Sequence, residues 1–456
     1  MIKNPTHKAT EKQARHTGKS SACFTLAFLP TLIALVLTVN SYGQIPVIET
    51  PKPASLNNPA IIGNSNQTPI QQPSNNQTDI QKRNQALIEE AEQHQKYLEK
   101  SGYYSNYSNK AIQYDLPDLS SMQGTEYFHS ALNEINKMLS GESLLDLKKA
   151  TYIVENAYYE GQLNYNDFEK SINNAVDICK MKLSRYKPSE INDFVINQTI
   201  FSYFADTTVI ELKGMEQTLT HYPIKYDFDD YMGTENWSQM FVSKLLATNS
   251  GQCNSMPLLF LILAQELGSE AYLAYSPNHS FIRYKSPRGN WYNAEMTTGA
   301  IMSDAAYLEC GYIKTEAIMS GIYMDTLSVH ETIASTLNTL SLGYAHKYGY
   351  DRFVKQCVDT VQKYYPNQLS AAMLEANYQT QKTMYIARQK NMPVDEFKKD
   401  PKAKVEFDKM HEDYAKIDNL GYEFMPQDQY LRWLKRLEEA KQKQENQKGF
   451  IQQIIR

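Results

Sequence analysis

The sequence lacks a strong charge bias, and it contains few cysteines. Its 46 basic residues stand against 51 acidic ones, which leaves a formal net charge of -5 over 456 residues. Such a balance gives no field strong enough to attract a polyanion, so nucleic acid is not expected as a partner. Five cysteines in so long a chain are too few for a disulfide scaffold. Apolar content is ample, because 42% hydrophobic residues can supply a sizeable core.

A basic leader and an apolar run open the chain. The run covers residues 22–39 and is followed by the small residues Ser41 and Gly43. This layout is typical of a secretory signal cleaved just before Gln44, which makes residues 1–43 a predicted signal peptide. The run is also about as long as the shortest spanning helices, so an uncleaved membrane anchor is the alternative. Both readings predict an exported protein of a bacterial type, periplasmic or secreted.

Composition and periodicity divide the rest of the chain. Residues 44–80 are rich in Asn, Gln and Pro, which predicts a disordered linker. Residues 81–236 and 306–456 carry mainly helical patterns, whereas residues 237–305 carry one helix followed by short extended runs. The sequence therefore predicts an α+β protein with a mixed core between two helical regions.

Apolar spacing predicts two helices in the first helical region. In the first helix, Ser143 and Asp146 stand at capping-box spacing, and Gly161 marks the exit. Its predicted buried stripe is Leu147, Ala150, Val154 and Ala157. The second helix starts near Asn166 and carries Cys179 on its apolar stripe, where a cysteine is most simply a small core residue.

The stretch SGQCNSMPLLFLILAQELG, residues 250–268, places a cysteine directly before an apolar helix. Because residues 258–264 are apolar on every side, this helix should run through the middle of a domain. Pro257 fits the first turn and sets the helix start close to Cys253. Unpaired amides and the positive end of the helix dipole favour a thiolate there. Cys253 is thus a candidate nucleophile, with a purely structural cysteine as the alternative.

Three short extended runs follow the helix and are typical of an antiparallel meander packed on it. They cover residues 271–276, 280–285 and 290–296. His279 stands at the mouth of the second run. On the third run, Trp291, Asn293 and Glu295 share one face through the two-residue period of a strand. A histidine and an acid are therefore available to act with Cys253.

Together these segments resemble the transglutaminase-like superfamily. The resemblance covers about residues 237–299 and rests on GQC opening a helix, NHSFIRY with its histidine, and WYNAEMT with an acid four residues after a tryptophan. It implies a papain-like core in which the cysteine helix packs on an antiparallel sheet. It also implies that Cys253 is the nucleophile, His279 the general base and acid, and Glu295 the group that orients the imidazole.

The third catalytic position departs from the family pattern, which more usually has Asp. Asn293 lies on the same face as Glu295 and is an alternative, as asparagine serves in papain-like enzymes. A carboxylate also stabilises the imidazolium, which favours Glu295. The backbone N–H of Cys253 is a natural oxyanion donor, while the second donor is open between Gln252 and Trp237.

The chemistry implied by the resemblance is attack of a thiolate on a carboxamide carbon, with a thioester intermediate. With water as acceptor, the protein is a peptidase or amidase acting on a peptide or protein substrate. With a lysine amine as acceptor, it is a protein-crosslinking acyltransferase. A catalytically inactive transglutaminase-like binding module is the third class.

The sequence predicts neither a cofactor nor a metal site. Asp227, Asp229 and Asp230 lack the spacing of a calcium loop and are read as a solvated acidic turn. His330 and His346 have no ligand-type partners at metal spacing.

The C-terminal region contains one candidate repeat unit. Residues 339–367 are similar to a single tetratricopeptide-type helix pair closed by Pro366. Such pairs form peptide-binding grooves, and a packing domain for the core is the alternative. Cys357 lies on an apolar stripe of this pair and is predicted to be buried. An amphipathic helix from Tyr430 ends the predicted structure.

Overall fold

The computed structural model describes residues 112–211, 218–230, 233–311 and 313–423, with Arg432 and Glu439. The predicted signal peptide and linker lie outside these residues, as does nearly all of the predicted C-terminal amphipathic helix. The described residues belong to one unit, Tyr42–Arg456. None of the helices in this part of the chain is long and apolar enough to cross a membrane.

Helices open the described chain. They are α1 (Thr125–Ser140), α2 (Leu147–Tyr158), α3 (Tyr165–Leu183) and α4 (Asp193–Ala205). The predicted stripe of α2 is buried, but Asp146 alone is its N-cap and accepts a hydrogen bond from the Lys149 N–H at 2.9 Å. The predicted capping box with Ser143 does not form, because the helix begins one residue after Asp146 and not after Ser143.

Short strands follow inside the stretch that was predicted to be helical. β1 (Thr208–Glu211) and β2 (Thr218–His221) form an antiparallel hairpin. β3 (Lys225–Tyr226) pairs in parallel with β4 (Ser250–Gly251), and α5 (Val242–Thr248) lies between them in sequence. The β-branched residues Thr208, Val209 and Ile210 favour the extended backbone over a helix.

The apolar helix α6 (Ser255–Leu267) precedes a four-stranded antiparallel sheet. Its strands, in spatial order, are β5 (Tyr272–Ser276), β6 (His279–Lys285), β7 (Trp291–Glu295) and β8 (Ala300–Met302). The predicted helix, its end at Gly268 and the three-stranded meander are confirmed. β8 extends the sheet by a strand that the sequence pattern did not indicate.

Helices close the described chain. They are α7 (Asp304–Gly311), α8 (Thr315–Met319), α9 (Val329–Tyr348), α10 (Arg352–Tyr364), α11 (Leu369–Lys390) and α12 (Pro401–Asn419). The predicted helix pair at residues 339–367 corresponds to the end of α9 and to α10, which contact each other. Strands between helical regions make the protein α+β, as the sequence predicts.

One apolar core joins the three predicted regions. It extends from Phe128 on α1 through α6 to Tyr378 on α11. One face of the sheet, which includes Ile282, belongs to this core, and α6 contacts β5 and β6. The opposite face, which includes Phe281, joins a second cluster with the C-terminal helices. Residues on both sides of positions 236 and 305 therefore contribute to the same core.

Candidate active site

Cys253 lies in the turn between β4 and α6. The Gln252 carbonyl accepts a hydrogen bond from the Met256 N–H at 3.0 Å, and the Gln252 N–H donates to Ser255 Oγ at 3.1 Å. These two bonds fix the backbone on either side of the thiol. The N–H of Cys253 itself has no acceptor among the described residues. It is therefore available at the positive end of α6 for a developing negative charge.

His279 is brought to Cys253 by the hairpin between β5 and β6. Ser276 pairs with His279 across a two-residue turn, in which Asn278 takes a φ of 56°. His279 is the first residue of β6, and its imidazole lies near enough to the Cys253 side chain for the cysteine to raise the pKa of the ring. The next residue, Ser280, donates its hydroxyl to the Cys253 carbonyl. The strand that carries the base is thus tied directly to the loop that carries the thiol.

Glu295 completes the group from the end of β7. β6 and β7 are antiparallel, so the start of β6 and the end of β7 meet at the same end of the sheet. His279 Nε2 and Glu295 Oε2 are 2.7 Å apart. The carboxylate also accepts the Thr297 N–H on Oε1 at 2.8 Å and the Tyr307 hydroxyl on Oε2 at 2.9 Å. Glu295 is buried, yet three donors satisfy its charge.

Interactions with neighbouring charges set the protonation of His279 and Glu295. Burial alone would lower the pKa of His279, but the Glu295 carboxylate and hydrogen bonds to Cys253 and Glu295 raise it well above its usual value. Burial opposes ionisation of Glu295 too, and the imidazolium and the hydrogen-bond donors outweigh it, so the pKa of Glu295 is lowered. The stable state is an imidazolium held between a carboxylate and a cysteine.

Asn293 does not contact the imidazole. It is buried, its Oδ1 accepts from Arg283 Nε at 3.0 Å, and its Nδ2 donates to Asp304 Oδ1 at 2.6 Å. Two residues along a strand correspond to about 7 Å, which places Asn293 out of reach of the ring that Glu295 contacts. The alternative that Asn293 orients His279 is therefore wrong for this structure.

The two candidates for a second oxyanion donor differ in their contacts. Trp237 Nε1 donates to the Thr339 carbonyl on α9 at 3.2 Å, so this N–H is already used. The Gln252 side chain is fully buried, and neither of its carboxamide atoms has a partner in the described part of the chain. Of these two side chains, Gln252 is therefore the one whose N–H group has no hydrogen-bond acceptor among the described residues.

Sequence reasoning missed the residues that support the three reacting side chains. Ser280 stands inside the quoted NHSFIRY motif, so its position next to His279 was a usable signal. Thr297 stands inside the quoted WYNAEMT motif, two residues after Glu295, and was a usable signal in the same way. Tyr307 was not identifiable, because no periodicity marks a residue that contacts a carboxylate from another element. The Tyr307 contact therefore comes from the tertiary structure alone.

The acidic turn is held by internal contacts. Asp230 accepts the backbone N–H groups of Thr234 and Asn236 at 2.7 Å, and Asp227 pairs with Lys244. Nowhere in the described residues do three or more His, Cys, Asp or Glu side chains lie close enough together to hold a metal ion.

In comparisons with known proteins, no family model and no curated protein matches the chain. One solved structure that matches is described as "Crystal structure of menin reveals the binding site for Mixed Lineage Leukemia (MLL) protein". The match has 10% sequence identity, covers 68% of this chain and 76% of that one, and has a TM-score of 0.31. A likeness at this level assigns the chain to no family and carries no inference about its site.

Proposed function

We propose that the protein is a transglutaminase-like thiol enzyme that hydrolyses a peptide or amide bond. The observation that carries the proposal is the continuous contact from Cys253 through His279 to Glu295, at the mouth of a buried helix. A cysteine in a structural role needs no imidazole beside it and no buried carboxylate behind that imidazole. This arrangement supplies a nucleophile, a proton carrier and an orienting charge in one place.

The chemistry follows from the use of the two ring nitrogens. Because Nε2 of His279 is hydrogen-bonded to Glu295, Nδ1 is the ring nitrogen left to exchange a proton with the thiol. The raised pKa of His279 favours an imidazolium, which stabilises the Cys253 thiolate. The thiolate sulfur attacks the carboxamide carbon, and the oxyanion that forms is stabilised by the Cys253 N–H.

Collapse of the oxyanion breaks the carbon–nitrogen bond, and the imidazolium transfers its proton to the departing amine. The resulting thioester carries the acyl group on Cys253. The neutral ring then takes a proton from a water molecule, whose oxygen attacks the thioester carbon. Release of the acid regenerates the thiolate and the imidazolium, so the cycle balances without any further reagent.

The wider assignment has separate support. Packing of α6 on the antiparallel meander supports a papain-like, transglutaminase-like core, and the pairing of α9 with α10 supports a tetratricopeptide-like C-terminal part. The basic leader and apolar run of residues 1–43 support export to the periplasm or the exterior, with membrane anchoring as its alternative. A peptide or protein is the proposed substrate, since the nucleophile needs a carboxamide carbon.

Turnover of a peptide mixture tests the proposal. The full-length mature protein is incubated with a protein digest, and both the amine released and the acyl adduct on Cys253 are followed by mass spectrometry. We expect release without an added amine, and its loss in Cys253→Ala and His279→Ala. Cys179→Ala is the matched control, because it removes a buried thiol that lies on α3 and not at the start of α6.

Three outcomes separate the function classes. Release in water, with a transient acyl adduct, supports the hydrolase. Release only when a primary amine is supplied would replace hydrolysis by acyl transfer to lysine. Binding of peptides with no adduct at Cys253 would contradict both and leave an inactive binding module.

A further inference from the structure

Tyr307 holds the buried carboxylate from the side opposite the cysteine helix. It lies on α7, is 7% exposed, and stacks on Phe281 of β6 with ring centroids 4.0 Å apart. Its hydroxyl donates to Glu295 Oε2 at 2.9 Å, the same oxygen that lies 2.7 Å from His279 Nε2. Burial and the Glu295 charge raise the pKa of Tyr307, so its hydroxyl remains a donor at neutral pH.

The position of α7 is fixed by a second set of contacts. Asp304, its first residue, accepts both a hydrogen bond from Asn293 Nδ2 at 2.6 Å and the Arg283 guanidinium at 3.1 Å. Arg283 is buried and lies on β6, four residues after His279. The strand that presents the base therefore also anchors the helix that carries Tyr307.

We propose that Tyr307 is a positioning residue of the triad. By donating to the same Glu295 Oε2 that contacts His279, it fixes the carboxylate and weakens the attraction of the carboxylate for the imidazolium. This inference rests on the proposed function for its chemical meaning. A carboxylate oxygen that accepts two hydrogen bonds spreads its charge over both donors and attracts the imidazolium less strongly than an oxygen with one. Tyr307 thereby keeps the imidazolium acidic enough to give its proton to a leaving amine.

The direction of the effect can be derived from the charges that face the pair. Cys253 faces His279, the Tyr307 hydroxyl faces Glu295, and Arg283 and Asp304 lie near Tyr307 itself. Glu295 stays ionised whether the ring is charged or neutral, and the Tyr307 bond is stronger when the ring is neutral. The hydroxyl therefore favours the neutral ring, and its removal should raise the pKa of His279.

Direct titration of the imidazole tests this role. The full-length mature protein is prepared with ¹³C-labelled histidine, and the His279 signal is assigned from its absence in His279→Gln. We expect Tyr307→Phe to raise the pKa of His279 by roughly half a unit. Tyr414→Phe is the matched control, since Tyr414 is about as buried and its hydroxyl lies 3.0 Å from that of Thr380, away from the His279–Glu295 pair.

A second variant keeps the test decisive if Tyr307→Phe fails to fold. Replacement of Tyr307 by 3-fluorotyrosine keeps the ring and strengthens the hydroxyl as a donor, so it should lower the pKa of His279. Coincident titrations of wild type, Tyr307→Phe and the fluorotyrosine protein, or a fall in Tyr307→Phe, would overturn the proposal. If Cys253 were unreactive, the proposed enzymatic function would be contradicted. The titration would still show whether Tyr307 changes the pKa of His279.

Discussion

Replacing Glu295 by Gln removes the charge behind the imidazole while nearly preserving its shape. The carboxylate accepts three hydrogen bonds, from His279, Thr297 and Tyr307. A carboxamide offers one acceptor oxygen, and its NH2 group must face one of these donors. The bond to the imidazolium is charge-assisted and is worth about 1.5–3 kcal/mol. At about 1.36 kcal/mol per unit, its loss lowers the pKa of His279 by about one to two units.

The assay is alkylation of Cys253 by iodoacetamide between pH 5 and pH 9, followed by peptide mass spectrometry. Wild type should react rapidly near pH 6, because the imidazolium stabilises the thiolate. Glu295→Gln should retain part of this labelling, with a rate at pH 6 lower by about 10-fold or more, and its turnover should fall further, since the ring is no longer oriented.

Asn293→Ala is the control for a buried polar change on the same strand. It leaves Arg283 and Asp304 short of hydrogen bonds, so it should lower the free energy of unfolding by about 1–3 kcal/mol. It should leave the rate of Cys253 alkylation at pH 6 nearly unchanged. If Asn293→Ala slowed labelling and turnover more than Glu295→Gln does, the reasoning about the third position would be refuted.

Three further changes probe the structure around the site. Burial raises the pKa of Glu155, which accepts backbone N–H groups at the start of α5, from 4.5 to about 7. The stabilising contribution of Glu155 should therefore be fully present below about pH 4.5 and be lost, by about 3 kcal/mol, as the pH rises past 7. Urea unfolding should show this loss in wild type relative to Glu155→Gln, and parallel pH profiles of the two proteins would contradict it. Ser280→Ala should slow Cys253 alkylation several-fold and Ser280→Thr much less, because threonine keeps the hydroxyl that donates to the Cys253 carbonyl. Equal rates in the two variants would show that this hydrogen bond does not support the thiol. Cys179 and Cys357 are buried thiols, and burial raises the pKa of Cys179 to about 12, so both should resist iodoacetamide until urea unfolds the chain; labelling of either in the native protein would be inconsistent with the core.

The parts of the fold that could be predicted are those set by local patterns. The continuous apolar run of α6 and its glycine end at Gly268, which has a φ of 72°, are local features of the sequence. Turn residues and the two-residue period of a strand likewise predicted His279 at the start of one strand and Glu295 on one face of the next. Three residues are too few to reveal a period, so β8 (Ala300–Met302) was missed.

The rest of the site depends on contacts that no local pattern encodes. Tyr307 reaches Glu295 from the next helix, and the Trp237 indole donates to Thr339, 102 residues away. The sequence favoured Glu295 over Asn293 only through the charge of its carboxylate, because both residues face the same side of β7. Glu295 and not Asn293 contacts His279 because Glu295 lies at the end of β7 that is next to the start of β6. The pairing register of the two strands determines this.

The most direct test of the account is the pH dependence of Cys253 alkylation in wild type and in His279→Ala. An unperturbed thiol with a pKa of about 8.5 hardly reacts at pH 6. We predict that Cys253 is labelled first among the cysteines at pH 6, and that His279→Ala slows this labelling while the protein stays folded. If Cys253 reacts no faster than a free model thiol and His279→Ala alters nothing, Cys253 is a structural residue and the thiol enzyme is contradicted.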